Sequence, residues 1–273
     1  MQINKFIITE EFLNSMSEDE KIFAVQLGYF LNEINILVKC TRIKPKSPPY
    51  RPEGIAEFCF VLMFIRLLAS KLYEAWRFIK TWNKKNKKAF FLNEELPKWL
   101  EPILSNETKE IWEKIDNYFK NTNNILVYIR NRAGFHYDKE LIKKGLQQLK
   151  VLKNTQALTY FTSEYAENSL FVFSDMIILQ ALKKKICTKN CQEICQETSP
   201  GICQKGKVPI LKKLIDETED VLILFHRFSM NCLDEIAAAK NIHLEPVEEI
   251  NISNPPSYND INFPFFIRRE EEE

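Results

Sequence analysis

The stretch RNRAGFHYD, residues 130–138, gathers Arg130, Asn131, Arg132, His136 and Tyr137 in a chain of 273 residues that carries only three histidines. Arginine presents a planar fork of donors that suits a phosphate. Histidine is the side chain that moves a proton near neutral pH. Together they suffice to cut RNA without a metal. The imidazole takes the proton of the 2′-hydroxyl or returns one to the leaving 5′-oxygen. The guanidinium stabilises charge building on the phosphorane-like transition state. Asn131 can orient either partner, and Tyr137 can stack on a base or donate a hydrogen bond, or else pack as a core-edge aromatic.

Spacing bears on whether these groups meet. In a regular helix six positions turn the chain by roughly 240°, which leaves Arg130 and His136 about 120° apart. Gly134 lies between them and can loosen or end the helix. A second copy of the motif, brought in by a two-fold axis, can also complete the site. Arg132, four positions before His136, shares its face and is the rival phosphate ligand. The competing structural reading makes His136 a helix-end residue that bonds the last carbonyls at the negative end of the dipole.

The elements that must hold this stretch read as helices. Glycine occurs six times in 273 residues, too rarely for a chain built on tight turns, and alternation at period two is hard to find. Ser17 with Glu20 forms a capping box, and Phe23, Leu27, Phe30, Ile34 and Leu37 then recur at three- and four-residue spacing. IKPKSPPYRP, residues 43–52, breaks that helix, and Pro52 opens the next, which runs to about Trp82. Further helices are predicted over 107–119, 123–137, 138–152 with Asp138 as cap, 163–185, and across the apolar series Leu211 to Ile236. The expected fold is all-α, with a helical core over 1–187, a cysteine-rich insertion over 188–207, a C-terminal helix over 208–241 packing on the core, and an extended tail over 242–273.

Charge is informative only locally, because the net charge is +1. From Lys71 to Phe90 six lysines and one arginine face a single acid, Glu74. Lys71, Glu74 and Arg77 fall on one helical stripe and read as a surface ion-pair ladder. Lys84, Lys85, Lys87 and Lys88 form a basic turn that can track an RNA backbone, with Trp76 and Trp82 as candidate stacking platforms. No apolar leader is visible, and the longest apolar run, Phe58 to Ile65, is far short of the roughly 20 residues that span a bilayer. We therefore expect a soluble, cytoplasmic protein with no membrane partner. Seven cysteines then read as thiols or metal ligands. Cys187, Cys191, Cys195 and Cys203 are a weak tetrahedral candidate, since their spacing lacks the two-residue knuckle of zinc sites. His226, among Leu222, Phe225 and Phe228, reads as a core-edge residue.

The pattern of Arg130, Asn131 and His136, with five residues between arginine and histidine, resembles the signature of the HEPN superfamily. The preceding helix FIRLLASKLYEAWRFI is similar to the long helix before that motif in bacterial members, some of which belong to abortive-infection and toxin–antitoxin systems. The resemblance covers about residues 52–150. It implies a HEPN-like bundle of five to seven helices and a dimeric, metal-independent endoribonuclease that needs no cofactor. It implies catalytic roles for Arg130 and His136 and a supporting role for Asn131; Arg132, Tyr137 and the lysines of 84–88 are substrate-binding candidates by their own chemistry, the arginine and lysines set against a reading as solvated surface residues. It also implies a toxin-like place in anti-phage defence, with an antitoxin or other defence protein as partner. Gly134 inside the motif departs from a plain helical signature. The alternative is a non-catalytic helical module that binds RNA, a nucleotide or a protein.

Overall fold

A computed structural model describes residues 2–5, 8–43, 46–48, 51–82, 96–134, 139–149, 172–186, 209–242, 248–257 and 260. The protein is mostly helical. Eight α-helices stand among the described residues: α1 (Glu10–Ser15), α2 (Glu18–Arg42), α3 (Pro52–Lys80), α4 (Asn106–Lys120), α5 (Ile125–Ile129), α6 (Lys139–Leu149), α7 (Val172–Ile186) and α8 (Pro209–Ala239). Seven correspond to the predicted helices, and α1 is the addition to the expected five to seven. It is a six-residue turn whose Thr9 hydroxyl accepts from the Phe12 amide, too short to carry a periodic pattern.

The start signals predicted for α2 and α3 form, while Asp138, the cap predicted for α6, lies outside the described residues. The Ser17 amide donates to Glu20 Oε2 at 2.6 Å, and the Glu20 amide donates to Ser17 Oγ at 3.3 Å, which closes a reciprocal box. Pro52 occupies the first position of α3, where its missing N–H costs nothing. Glu57, one turn further on, accepts from the amides of Lys46 and Ser47 and so fastens the proline-rich loop onto α3. Gly54 lies against the Pro48 carbonyl, where a Cβ would collide with backbone. Two strands, β1 (Gln2–Lys5) and β2 (Glu248–Asn251), pair antiparallel with Gln2 opposite Asn251 and Lys5 opposite Glu248. The tail expected only to run extended therefore contributes a strand.

The chain divides into two units. The first comprises residues 1–36, 71–124 and 219–256, and the second 37–70, 125–218 and 257–273. The first unit is built on aromatic packing. The Phe23 ring lies 5.7 Å from that of Phe78 and 5.4 Å from those of Trp82 and Trp99. Along α4 the buried positions Thr108, Ile111, Trp112, Ile115, Asp116 and Phe119 follow the helical repeat, so this helix turns one stripe inward. Its first turn is held by Glu235 of α8, which accepts from the Ser105 amide and from the hydroxyls of Ser105 and Thr108.

The second unit has an aliphatic core. Leu62, Ile65, Leu68, Ile129, Leu141 and Leu179 are buried in it. Here α6 crosses α7 closely, because Gly145 lies against the Ile177 carbonyl and leaves no room for a Cβ. Among the described residues no helix is long and apolar enough to cross a membrane.

Candidate functional site

The segment that carries the motif starts as α5. Its entry is fixed by side chains: Asn124 Nδ2 donates to the Tyr118 carbonyl at 2.5 Å, and the Ile125 amide reaches Glu217 at 3.4 Å. Ile125, Leu126, Val127 and Ile129 are buried, and so is Ala133 one turn later. That anchorage leaves Asn131 and Arg132 exposed and Arg130 half-buried.

From Arg130 to Gly134 the helix widens to π geometry. This corrects the regular helix predicted over 123–137. Carbonyl-to-amide bonds in such a turn span five residues instead of four, and single wide turns of this kind are frequent at functional sites. Gly134 ends the turn, and glycine weakens a regular helix by about 1 kcal/mol relative to alanine. The regular rotation behind the 120° separation does not hold across these five residues.

Arg130 and Asn131 meet. Arg130 Nη1 donates to Asn131 Oδ1 at 3.2 Å. An amide oxygen that accepts from one guanidinium nitrogen restricts the fork's rotation. Arg132 is exposed on the same turn. His136 and Tyr137 lie outside the described residues, as do Lys84, Lys85, Lys87 and Lys88 and all of Cys187, Cys191, Cys195 and Cys203. Among the described residues no group of histidine, cysteine or acidic side chains could hold a metal, and Cys40, Cys59 and Cys232 are free.

Other expected site residues are placed elsewhere. Trp76 is buried, with its ring 5.6 Å from that of Phe119 and its indole N–H donating to Asp116 at 2.9 Å. It is a core residue and no platform for a base. Trp82 belongs to the aromatic cluster around Phe23. The ladder on α3 is incomplete: Lys71 pairs with Glu33 of α2 at 2.7 Å, and Glu74 and Arg77 approach only to 4.0 Å. His226 is exposed on α8, although Phe225 and Phe228 beside it are buried. A rotation of about 100° per residue is enough to turn it outward.

Two polar clusters escaped the sequence reading. In the second unit Arg66 of α3 and Asp175 of α7 pair at 2.9 Å. They share a cavity of about 10 Å³ with Leu62, Ile65, Ile129 and Leu214, room for about one water. Ile129 directly precedes Arg130, so this pair sits against the helix that presents the motif. Burial pushes Asp175 up, and Arg66 together with the Cys59 thiol offsets only part of that. Burial and Asp175 push Cys59 well above the ordinary thiol range, so it is an inert thiol.

In the first unit Asp116 accepts from Trp76 Nε1 at 2.9 Å, Lys80 Nζ at 2.6 Å and Lys120 Nζ at 2.5 Å. Burial pushes this carboxyl up too, but the bonds from Lys120, Lys80 and Trp76 outweigh it and hold the group below its ordinary range. For Lys80 the balance goes the other way, and burial lowers it despite the Asp116 pair. The sequence did hold one signal: Asp175 and Asp116 each interrupt a buried helical face, and a buried carboxylate demands partners.

No family model, no curated protein and no solved structure matches the chain.

Proposed function

We propose that the chain is a HEPN-type endoribonuclease that cleaves its substrate without a metal. The observation that carries this reading is the Arg130–Asn131 pair on the outward side of a π-widened turn, with the hydrogen bond that orients the guanidinium. A phosphate ligand on a wide turn, anchored from beneath by Ile129 and Ala133, is a preorganised electrostatic group.

In this proposal Arg130 clamps the scissile phosphate. His136 withdraws the proton from the 2′-hydroxyl or supplies one to the 5′-oxygen, and Asn131 holds the guanidinium in place. Arg132, Tyr137, Lys84, Lys85, Lys87 and Lys88 bind the RNA around the cut. The new bond joins the 2′-oxygen to phosphorus, and the bond from phosphorus to the 5′-oxygen breaks. The working form is a homodimer that acts as a toxin-like effector in anti-phage defence, restrained or triggered by a partner protein.

Incubation of the purified chain with total RNA in EDTA tests the reading. Cleavage by wild type that disappears in both Arg130→Ala and His136→Ala, with circular dichroism unchanged, is the expected result. Losses of roughly 100-fold or more suit residues of these roles. No cleavage by wild type, or cleavage indifferent to both substitutions, overturns the enzyme reading in favour of a binding module.

A further inference from the structure

The inward face of α2 is fully used: Phe23, Leu27, Leu31, Ile34 and Val38 are buried. Its opposite face is also apolar. Ile22, Val25, Tyr29 and Ile36 are 43%, 68%, 62% and 60% exposed. With exposed Asn32 they fall at intervals of three, four, three and four residues, which is the heptad spacing of a helix-pairing seam. A lone exposed isoleucine or valine is unremarkable. Four along one line, with a single polar residue inside it, are not scattered. A lone asparagine in such a seam is a known device for fixing register.

Gly28 borders the seam in the middle of α2, where a Cβ would meet nothing within 4 Å. Among the described residues no neighbour requires glycine there, and the residue costs the helix stability. A second helix that approaches closely along this side would supply the reason.

Charge indicates which helix that is. The first turn of α2 carries exposed Glu18 and Asp19, and its last turn carries exposed Lys39. Two copies of α2 laid antiparallel about a two-fold axis set the acidic start of each beside the basic end of the other. The same operation lays each seam on its mate, as an isologous contact demands. Parallel copies would set like charge beside like charge at both ends.

We infer that the outer face of α2 is a self-association surface that receives α2 of a second copy of this chain, antiparallel, around a seam of Val25, Tyr29 and Ile36. The inference rests on the proposed function for the homodimer itself and goes beyond it in assigning the surface; it uses none of the motif residues, so cleavage lost in Arg130→Ala and His136→Ala is decided separately from the state of association.

Sedimentation equilibrium of the full-length chain over a wide concentration range tests it. Wild type is expected to show twice the chain mass. Val25→Glu with Tyr29→Glu is expected to raise the dimer dissociation constant by roughly 100-fold or more, the size of a central hot-spot loss, without changing circular dichroism. Glu18→Lys with Asp19→Lys is expected to weaken the dimer, and adding Lys39→Glu to restore part of the affinity, which a parallel pairing would not do. A wild type that stays monomeric overturns the inference and leaves the seam to a different protein. A dimer that survives Val25→Glu with Tyr29→Glu overturns it as well, because association then occurs elsewhere.

Discussion

Asp116 in the first unit and Asp175 in the second are both carboxylates enclosed by helices and faced by a cation, yet their acidities move in opposite directions. Burial is the largest influence on each. Asp116 has two ammonium groups and an indole N–H around it, all at 2.9 Å or less. Asp175 has one guanidinium and a thiol. A buried charge is tolerated in proportion to the donors that reach it, and one partner does not repay desolvation where three do. The first cluster is therefore a fully bonded strut between α3 and α4. The second is an under-compensated ion pair beside the helix that leads into Arg130.

The largest effect expected from this contrast is at Asp116. Asp116→Ala should cost about 3–5 kcal/mol, because it strands Lys80, whose side chain is only 12% exposed, and leaves the Trp76 indole without its acceptor. Urea unfolding measures it, and a loss below about 1 kcal/mol would mean that the strut behaves like an exposed pair.

The glycines of α6 and α2 provide the next contrast. Gly145→Ala pushes a methyl group into the Ile177 carbonyl and should destabilise the chain by about 2 kcal/mol. Gly28→Ala enters open space and should stabilise it by about 0.5–1 kcal/mol. The pair is best compared in the Val25→Glu, Tyr29→Glu background, where association does not contribute. Equal effects would show that close approach at α6 and α7 is not what glycine is for.

Asp175→Asn should be the mildest change, at least about 1 kcal/mol less costly than Asp116→Asn, because it removes a charge that burial already disfavours. The pH dependence has the same opposition. The folded value of Asp116 is depressed, so its contribution is present above the ordinary carboxyl value and is lost as pH falls through the folded value. Glu20 behaves alike: burial raises it, but the Ser17 amide and Lys240 outweigh that and leave it depressed. The folded value of Asp175 is raised, so its contribution is present below the ordinary value and is lost as pH rises through the folded value. Unfolding free energy measured against pH should accordingly fall less on acidification in Asp116→Asn than in wild type, and more in Asp175→Asn. Parallel curves for the two variants would erase the distinction between the clusters.

The helices were legible wherever the signal is local. Ser17 and Glu20 announce α2, Pro52 announces α3, and the apolar series from Leu214 to Ile236 traces α8. The pairing of residues 2–5 with 248–251 was not legible, since register between segments so far apart has no local mark. Nor was the role of Trp76, because an aromatic on an amphipathic helix looks alike whether it faces RNA or Phe119. Asp116 could be seen as a polar interruption of an apolar stripe, but Trp76 and Lys80 lie 40 and 36 positions away. At the motif, residue types carry the proposed chemistry, whereas the π geometry of the backbone has no mark in the sequence. A π-turn adds one residue to a turn and leaves the apolar spacing of Ile129 and Ala133 intact, so periodicity cannot reveal it.

The most direct test of the ribonuclease reading is the chemistry of the cut ends. A short synthetic RNA treated with the full-length protein in EDTA should give one fragment that ends in a 2′,3′-cyclic phosphate and another that begins with a 5′-hydroxyl. Both should vanish with Arg130→Ala and His136→Ala, and Asn131→Ala should leave a reduced rate. Fragments that begin with a 5′-phosphate, or ends that form equally fast in Arg130→Ala, would contradict the role assigned to the π-turn.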